Sequence, residues 1–298
     1  MTPTQPLFHT MLECRLTPSG SEWLGAGLRE IKAGAAADRL ASLLSMASRH
    51  APRGDLAPST GEREEAGRLL PGWNPERWST LEALRVCLLL GQPGLATPEF
   101  PAVLEECFRY ADGGELTALY RSLAHFPDGK RFTRRAGEGC RTNMRTVFEA
   151  TACDTPYPTS NFDEVAWCQL VIKAVFVEAP LWRVYGLDRR LSPELARMAL
   201  DLADERRSAG RRVQPELWLC LGEHAGERGL AALENEMRSA DAVSRSAAAL
   251  ALARAGAAAL LRDFACAESD LDVKAVLDCA IAGDCDQTAF ARFEPERE

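Results

Sequence analysis

The chain has 298 residues, of which 46% are hydrophobic and 26% charged, a composition with enough apolar side chains for a substantial core. Its formal net charge of −8 argues against a nonspecific nucleic-acid binder and against a polybasic protein of the membrane surface. No stretch of the sequence approaches the roughly 20 apolar residues of a membrane span, and the N-terminal residues lack the basic and apolar regions of a secretory signal. We therefore expect a cytoplasmic globular protein.

Apolar residues recur with helical spacing along nearly the whole chain, and Ala and Leu dominate over the β-branched residues that strands favour. These features predict an all-α fold. Ser79, Asn161 and Ser192 each stand where a helix cap is expected, with an acidic residue two or three positions later.

Prolines predict three breaks in the helical pattern, at residues 51–60, 91–101 and 153–160. The third break separates an N-terminal helical region, residues 1–152, from a C-terminal helical region, residues 153–298. We interpret both regions as parts of one continuous α-solenoid.

The C-terminal region contains a predicted helix pair that resembles a HEAT repeat. The first helix ends near Arg238, Asp241 can cap the second, and small residues follow on the packing face of the second helix. Residues 254–264 and 271–281 have the pattern of further helices. Stacked helix pairs of this kind build a superhelix with a concave surface that can hold a ligand or a partner.

The segment 162–176 is a strongly apolar predicted helix that carries Gln169 and Lys173 on one narrow face. A helix that is apolar on nearly every side is usually buried, so these two side chains are expected inside the protein or at a cavity wall, with Trp167 nearby. Two interpretations of Lys173 stay open. Its ammonium group binds an anion or a carbonyl, or it reaches the surface or pairs with a structural carboxylate.

Arg206 raises the same question, because it lies on the inward stripe of its predicted helix and Glu205 borders that stripe. An inward guanidinium needs a carboxylate, a phosphate or the edge of a pocket, although near a helix C-terminus it also interacts favourably with the helix dipole. Arg141 and Asn143 lie at the two margins of the apolar face of an earlier helix. They can reach a groove there, or belong to a solvated basic face.

The sequence lacks the motifs of dinucleotide sites, P-loops, nucleophile elbows and zinc proteases. The four histidines are far apart and the ten cysteines are scattered without a C-x-x-C pair, so we expect neither a metal site nor a cofactor. Asp163 and Glu164 are adjacent carboxylates that could transfer protons. Acidic residues are also common in the first turn of a helix, because their negative charge interacts favourably with the helix dipole there.

The chain resembles the EboA domain family over residues 24–221. The matching stretches lie at residues 71–78, 85–90, 139–150, 156–158, 167–176, 186–190 and 205–218. Two positions depart from the family pattern, since Thr155 and Cys168 stand where the family favours Asn.

The resemblance implies a component of a bacterial secondary-metabolite gene cluster, connected with making or moving a small metabolite toward the cell envelope. The cluster neighbours of the family resemble a prenyltransferase, a metal-dependent hydrolase and a sugar-phosphate cyclase. The resemblance assigns no reaction to the EboA component itself.

The leading hypothesis is a non-catalytic α-helical binding or adaptor protein that holds a small metabolite or a pathway enzyme of the same cluster. It has no nucleic-acid partner, and peripheral contact with a membrane enzyme is a further option. The predicted ligand-binding residues are Lys173, Gln169, Arg206, Arg141, Asn143, Trp167, Tyr157, Asp163 and Glu205. The alternative is an enzyme acting on an anionic prenyl-phosphate or cyclitol-like intermediate. There Lys173 and Arg206 stabilise the anion, while Glu205 or Asp163 transfers protons.

Overall fold

The computed structural model describes residues 2–52 and 54–294, and every regular element in those ranges is a helix. The one strand-like feature there is an isolated bridge between Asp55 and Ser79. The prediction of an all-α fold is therefore confirmed. None of the helices in these ranges combines the length and the apolar character that a membrane crossing requires.

Two compact units divide the chain: the N-terminal unit, Met1–Phe162, and the C-terminal unit, Asp163–Glu298. The division falls just after the proline-containing stretch 153–160, in which the sequence predicts a break. The HEAT-like repeat and the continuous solenoid stay predictions.

The N-terminal unit is built from short α-helices joined by loops and 3-10 turns. Its α-helices are α1 (Gln5–Glu13), α2 (Pro18–Lys32), α3 (Ala37–Met46), α4 (Thr60–Leu69), α5 (Thr80–Leu90), α6 (Phe100–Arg109), α7 (Gly113–Ser122), α8 (Thr133–Arg141), α9 (Arg145–Ala152) and α10 (Tyr157–Asn161).

Helix α5 forms the centre of the N-terminal unit, where it packs against α1, α2, α3 and α7. Every residue from Ala83 to Leu90 is buried, as expected for a helix that has neighbours on all sides. The helix starts with a capping box. Ser79 Oγ accepts a hydrogen bond from the Glu82 amide at 3.1 Å, and the Glu82 carboxylate accepts one from the Ser79 amide at 2.6 Å. The cap predicted at Ser79 is confirmed.

The C-terminal unit contains longer helices. They are α11 (Glu164–Phe176), α12 (Pro193–Ser208), α13 (Gly226–Met237), α14 (Ala242–Arg254), α15 (Ala258–Ala267) and α16 (Leu271–Ala282).

Helix α14 is central in this unit and packs against α13, α15, α16 and the 3-10 helix Pro215–Cys220. All residues from Ala247 to Leu252 are fully buried, and four of these six are alanines, which let neighbouring backbones approach closely. Asp241 caps α14 by accepting hydrogen bonds from the amides of Val243 and Ser244. The predicted cap is confirmed, as is the helical character of the segments that became α13 to α16.

The sequence also predicts caps for the starts of α11 and α12. Ser192 caps α12 as predicted. The cap predicted at Asn161 is wrong, because Asp163 caps α11 by accepting a hydrogen bond from the Ala166 amide at 2.8 Å. Asn161 instead ends α10, where its Nδ2 donates to the Tyr157 carbonyl oxygen at 2.9 Å.

Candidate functional site

A cavity of about 790 Å³ lies in the N-terminal unit, within the size range of small-molecule pockets. Its wall comes from the chain around the start of α1, the last residue of α2, the end of α5 with the following loop, and the 3-10 helix after α7 with the turn that follows it. The lining residues are Thr2, Pro3, Gln5, Lys32, residues 90–96 and residues 124–127.

The loop after α5 follows the cavity wall because two glycines let it pass close to α2 and then turn. A Cβ atom at Gly91 would lie only 2.5 Å from Leu28 Cδ2, so a larger residue at this position would require the Leu28 side chain to move. Gly94 has a φ of +74°, a left-handed conformation that other residues adopt at a cost.

Arg131 joins the loop after α5 to the turn after the 3-10 helix. Its guanidinium donates hydrogen bonds to the carbonyl oxygens of Leu95 at 2.6 Å, Thr97 at 2.7 Å and Pro127 at 3.0 Å. Leu95 and Pro127 both line the cavity. Because hydrogen bonds from a charged donor are stronger than those between neutral groups, this one side chain holds two parts of the wall in register.

Three residues of the wall carry a buried polar atom without a hydrogen-bond partner in the described structure: Thr2 Oγ1, Gln92 Nε2 and His125 Nε2. The side chains of Thr2 and His125 are 8% and 5% exposed. An unsatisfied buried polar group costs about 1–3 kcal/mol and is rare in proteins. Three of them belong to residues of one cavity wall, which makes this wall the candidate site.

His125 belongs both to the cavity wall and to a cluster of aromatic side chains. Its ring packs edge-on against Phe8, Trp73 and Trp78, with ring centroids at 5.1, 4.6 and 6.0 Å. Its Nδ1 hydrogen-bonds with Thr4 Oγ1 at 3.0 Å. Burial among these rings lowers the pKa of His125 to about 3, so the imidazole is neutral at neutral pH. It therefore offers Nε2 as either a donor or an acceptor, depending on the tautomer.

The cavity wall is almost free of formal charge. Among the described residues that line it, Lys32 is the one with a formal charge, and that side chain is exposed at the end of α2. Leu90, Leu95 and Phe126 are buried and provide apolar surface. The arrangement is that of a pocket with an apolar body and a few uncharged hydrogen-bonding groups.

Three of the residues predicted from the sequence lie elsewhere in the N-terminal unit. Arg141 and Asn143 are exposed at and just after the end of α8. Tyr157 is buried, and its hydroxyl donates a hydrogen bond to the Gly129 carbonyl oxygen at 2.7 Å. Burial raises the pKa of the Tyr157 hydroxyl, so it acts as a neutral structural donor.

The three predicted ligand-binding residues within helix α11 lie in different environments. Trp167 is fully buried, its Nε1 donates to the Arg190 carbonyl oxygen at 3.1 Å, and the Arg190 guanidinium stacks on its ring. Gln169 is exposed, although the sequence places it inside or at a cavity wall. Lys173 is half-buried, with Nζ 4.8 Å from the ring centre of Phe176, a side chain that is itself 64% exposed.

The α12 residues lie at the end of their helix. Arg206 is half-buried, and its Nε donates to the Arg212 carbonyl oxygen at 2.6 Å, which closes the turn after α12. Glu205 is exposed, and Asp163 is the exposed cap of α11.

None of the nine predicted residues is part of the cavity wall. Sequence reasoning missed the cavity because Thr2, Gln92 and His125 are far apart along the chain and form no motif. The sequence contains only a weak signal for this cavity. Gln92-Pro93-Gly94 and the turn after Phe126 contain proline and glycine, which predict loops, and loops often carry binding groups. In the described ranges, no group of three His, Cys, Asp or Glu side chains is placed to hold a metal ion.

The fold and the cavity define an all-helical protein with an apolar pocket of small-molecule size. Residues 4–222 match the family described as metabolite traffic protein EboA, and the chain belongs to this family. The match includes every lining residue of the cavity except Thr2 and Pro3. It confirms the resemblance found in the sequence. The chain matches no curated protein and no solved structure.

Proposed function

We propose that this protein is a non-catalytic binding protein that holds a small metabolite in the cavity of the N-terminal unit. The observation that carries the proposal is the set of partnerless polar atoms at Thr2, Gln92 and His125 around that cavity. A ligand that hydrogen-bonds to them offsets a penalty of about 1–3 kcal/mol for each atom. The three atoms are covered by neighbouring groups, so a ligand reaches them through small side-chain rotations, which are common on binding.

The family supports a role in handling a metabolite. Its description names metabolite traffic, and a traffic protein has to bind and release its cargo unchanged. Such a protein needs a pocket and does not need a nucleophile or a proton-transfer pair. The neutral, buried His125 fits this role, because an imidazole whose pKa is about 3 is a poor general base at neutral pH. A bacterial secondary-metabolite cluster as the genetic context is part of the same proposal.

The experiment compares the small molecules that copurify with the protein and with matched variants. Purified protein is denatured in organic solvent, and the released compounds are identified by untargeted mass spectrometry. Gln92→Leu removes a wall amide, whereas Gln169→Leu makes the same change on the exposed face of α11. We expect one compound class to copurify with the native chain and with Gln169→Leu, and to be depleted from Gln92→Leu.

The opposite pattern would place the ligand in the C-terminal unit. Retention by Gln92→Leu and loss from Gln169→Leu or Lys173→Met would favour the residues predicted from the sequence, whose binding role stays a prediction. It would also favour the enzyme alternative built on Lys173 and Arg206. Thermal melting of each variant controls for loss of folding.

An adaptor role toward a pathway enzyme is the second half of the leading hypothesis. It is compatible with a bound metabolite, since a traffic protein has to deliver its cargo. The same purifications test it: an enzyme that copurifies with the native chain and also with Gln92→Leu binds independently of the cavity.

A further inference from the structure

We infer that the cavity selects an uncharged molecule with an apolar body and hydroxyl, carbonyl or amide groups, and that it discriminates against anions and cations. This inference rests on the proposed function, since it names the class of ligand for the same cavity. Three features of the wall carry it: its charge, its hydrogen-bonding groups and its apolar surface.

The charge of the wall excludes an ionic head group in the buried part. Within residues 2–52 and 54–294, Lys32 is the one lining residue with a formal charge, and its side chain is exposed. No carboxylate from these ranges lines the cavity to balance a cation. An anion there would lack a buried counter-charge, because His125 stays neutral in its aromatic surroundings. Burying an unpaired charge costs far more than burying a hydrogen-bonded neutral group.

The partnerless groups of the wall are neutral and complementary to neutral polar groups of a ligand. The hydroxyl of Thr2 donates and accepts, the amide nitrogen of Gln92 donates, and Nε2 of His125 does either according to its tautomer. A hydroxyl or amide on the ligand satisfies any of them, and a carbonyl satisfies a donor. A site built to hydrogen-bond such groups rejects analogues that leave its own groups unpaired.

The remaining wall favours an apolar body. Leu90, Leu95 and Phe126 are buried aliphatic and aromatic surfaces, and Pro93 and Pro127 add rigid apolar rings. A cavity of about 790 Å³ is larger than a small polar molecule requires, so it has room for an apolar body beyond the hydrogen-bonding groups.

The test uses three probes that share one aromatic body and differ only in their head groups: 2-naphthylmethanol, 2-naphthoate and 2-naphthylmethylammonium. Each is titrated into the full-length native protein at neutral pH, and the backbone amide signals of Gln92 and His125 are followed by NMR. We expect the alcohol to shift both signals and to bind about ten-fold or more tightly than either ion. Gln92→Leu should weaken alcohol binding about two- to ten-fold, the effect of one hydrogen bond, and Gln169→Leu should leave it unchanged.

The outcomes separate the two proposals. If the naphthoate or the ammonium probe shifts the cavity signals with an affinity equal to that of the alcohol, the ligand class is wrong while the cavity remains a binding site. If the alcohol binds equally well to the native chain and to Gln92→Leu, the wall groups are satisfied by ordered water and do not select the ligand. If no probe shifts the signals of Gln92 and His125, the proposed function itself is overturned and the inference with it.

Discussion

Replacing His125 by Phe should make the protein less sensitive to acid. In the folded state, burial among Phe8, Trp73 and Trp78 lowers the pKa of His125 from its ordinary value of 6.5 to about 3. The unfolded chain exposes the imidazole, which then titrates near its ordinary value. Stability from the neutral His125 is therefore fully present above pH 6.5 and is lost as the pH falls toward about 3.

The magnitude follows from the two pKa values. At about pH 5 the unfolded state gains about 2 kcal/mol from protonating His125, and at about pH 4 it gains about 3 kcal/mol. Phe fills much of the same volume but cannot bind a proton. It also leaves Thr4 without its partner, which costs about 1 kcal/mol at every pH.

The assay is urea denaturation of the native chain and of His125→Phe, followed by circular dichroism at about pH 7.5 and about pH 5. The native chain should lose about 2 kcal/mol more between these conditions than the variant does. Comparing the two chains cancels the contribution of every other titrating group. Equal losses in both chains would refute the burial argument, as would a His125 ring signal that titrates in NMR near pH 6.5.

Two further predictions concern the cavity wall, and both are measured by urea denaturation at neutral pH. Gly94→Ala should destabilise the protein by about 1–2 kcal/mol, because the φ of +74° at this position is a left-handed conformation that alanine adopts only at a cost. Gly67→Ala, in open space on α4, should instead be stabilising by about 0.5–1 kcal/mol, and equal effects of the two substitutions would contradict the backbone argument. Arg131→Ala should lower the free energy of unfolding by about 2–4 kcal/mol, because it removes the hydrogen bonds to the wall carbonyl oxygens. The control Arg134→Ala removes an exposed arginine and should lower it by less than about 1 kcal/mol. Similar losses in the two variants would show that the wall does not depend on Arg131.

The helical elements were largely predictable because their signals are local. A cap such as Ser79, Ser192 or Asp241 acts on amides two or three residues away, so its chemistry is visible in a short stretch of sequence. The error at Asn161 has the same origin. Asn161 and Asp163 are both residue types that cap helices well. Asn161 is the last residue of the short helix α10, which leaves Asp163 to cap α11.

The candidate site was not predictable in the same way, because it depends on contacts between distant parts of the chain. Nothing near Gln92 or His125 in the sequence shows that both reach one cavity, or that their polar atoms lack partners. Helix α11 shows the converse problem. Its apolar composition predicts burial on nearly every side, yet Val165 and Phe176 are 66% and 64% exposed. Composition indicates how much apolar surface a helix has, but which of its faces meets a neighbour is settled by tertiary packing.

The position of Trp73 gives the protein an intrinsic optical probe. The indole packs against the imidazole of His125, which is part of the cavity wall, and its own Nε1 is a buried atom without a partner in the described residues. If a ligand occupies the cavity as proposed and shifts the imidazole, the polarity and the collisional quenching around that indole change with it. Binding of that ligand would then change the tryptophan emission of the unlabelled native chain, and the change would be smaller in Trp73→Phe, which keeps the other five tryptophans.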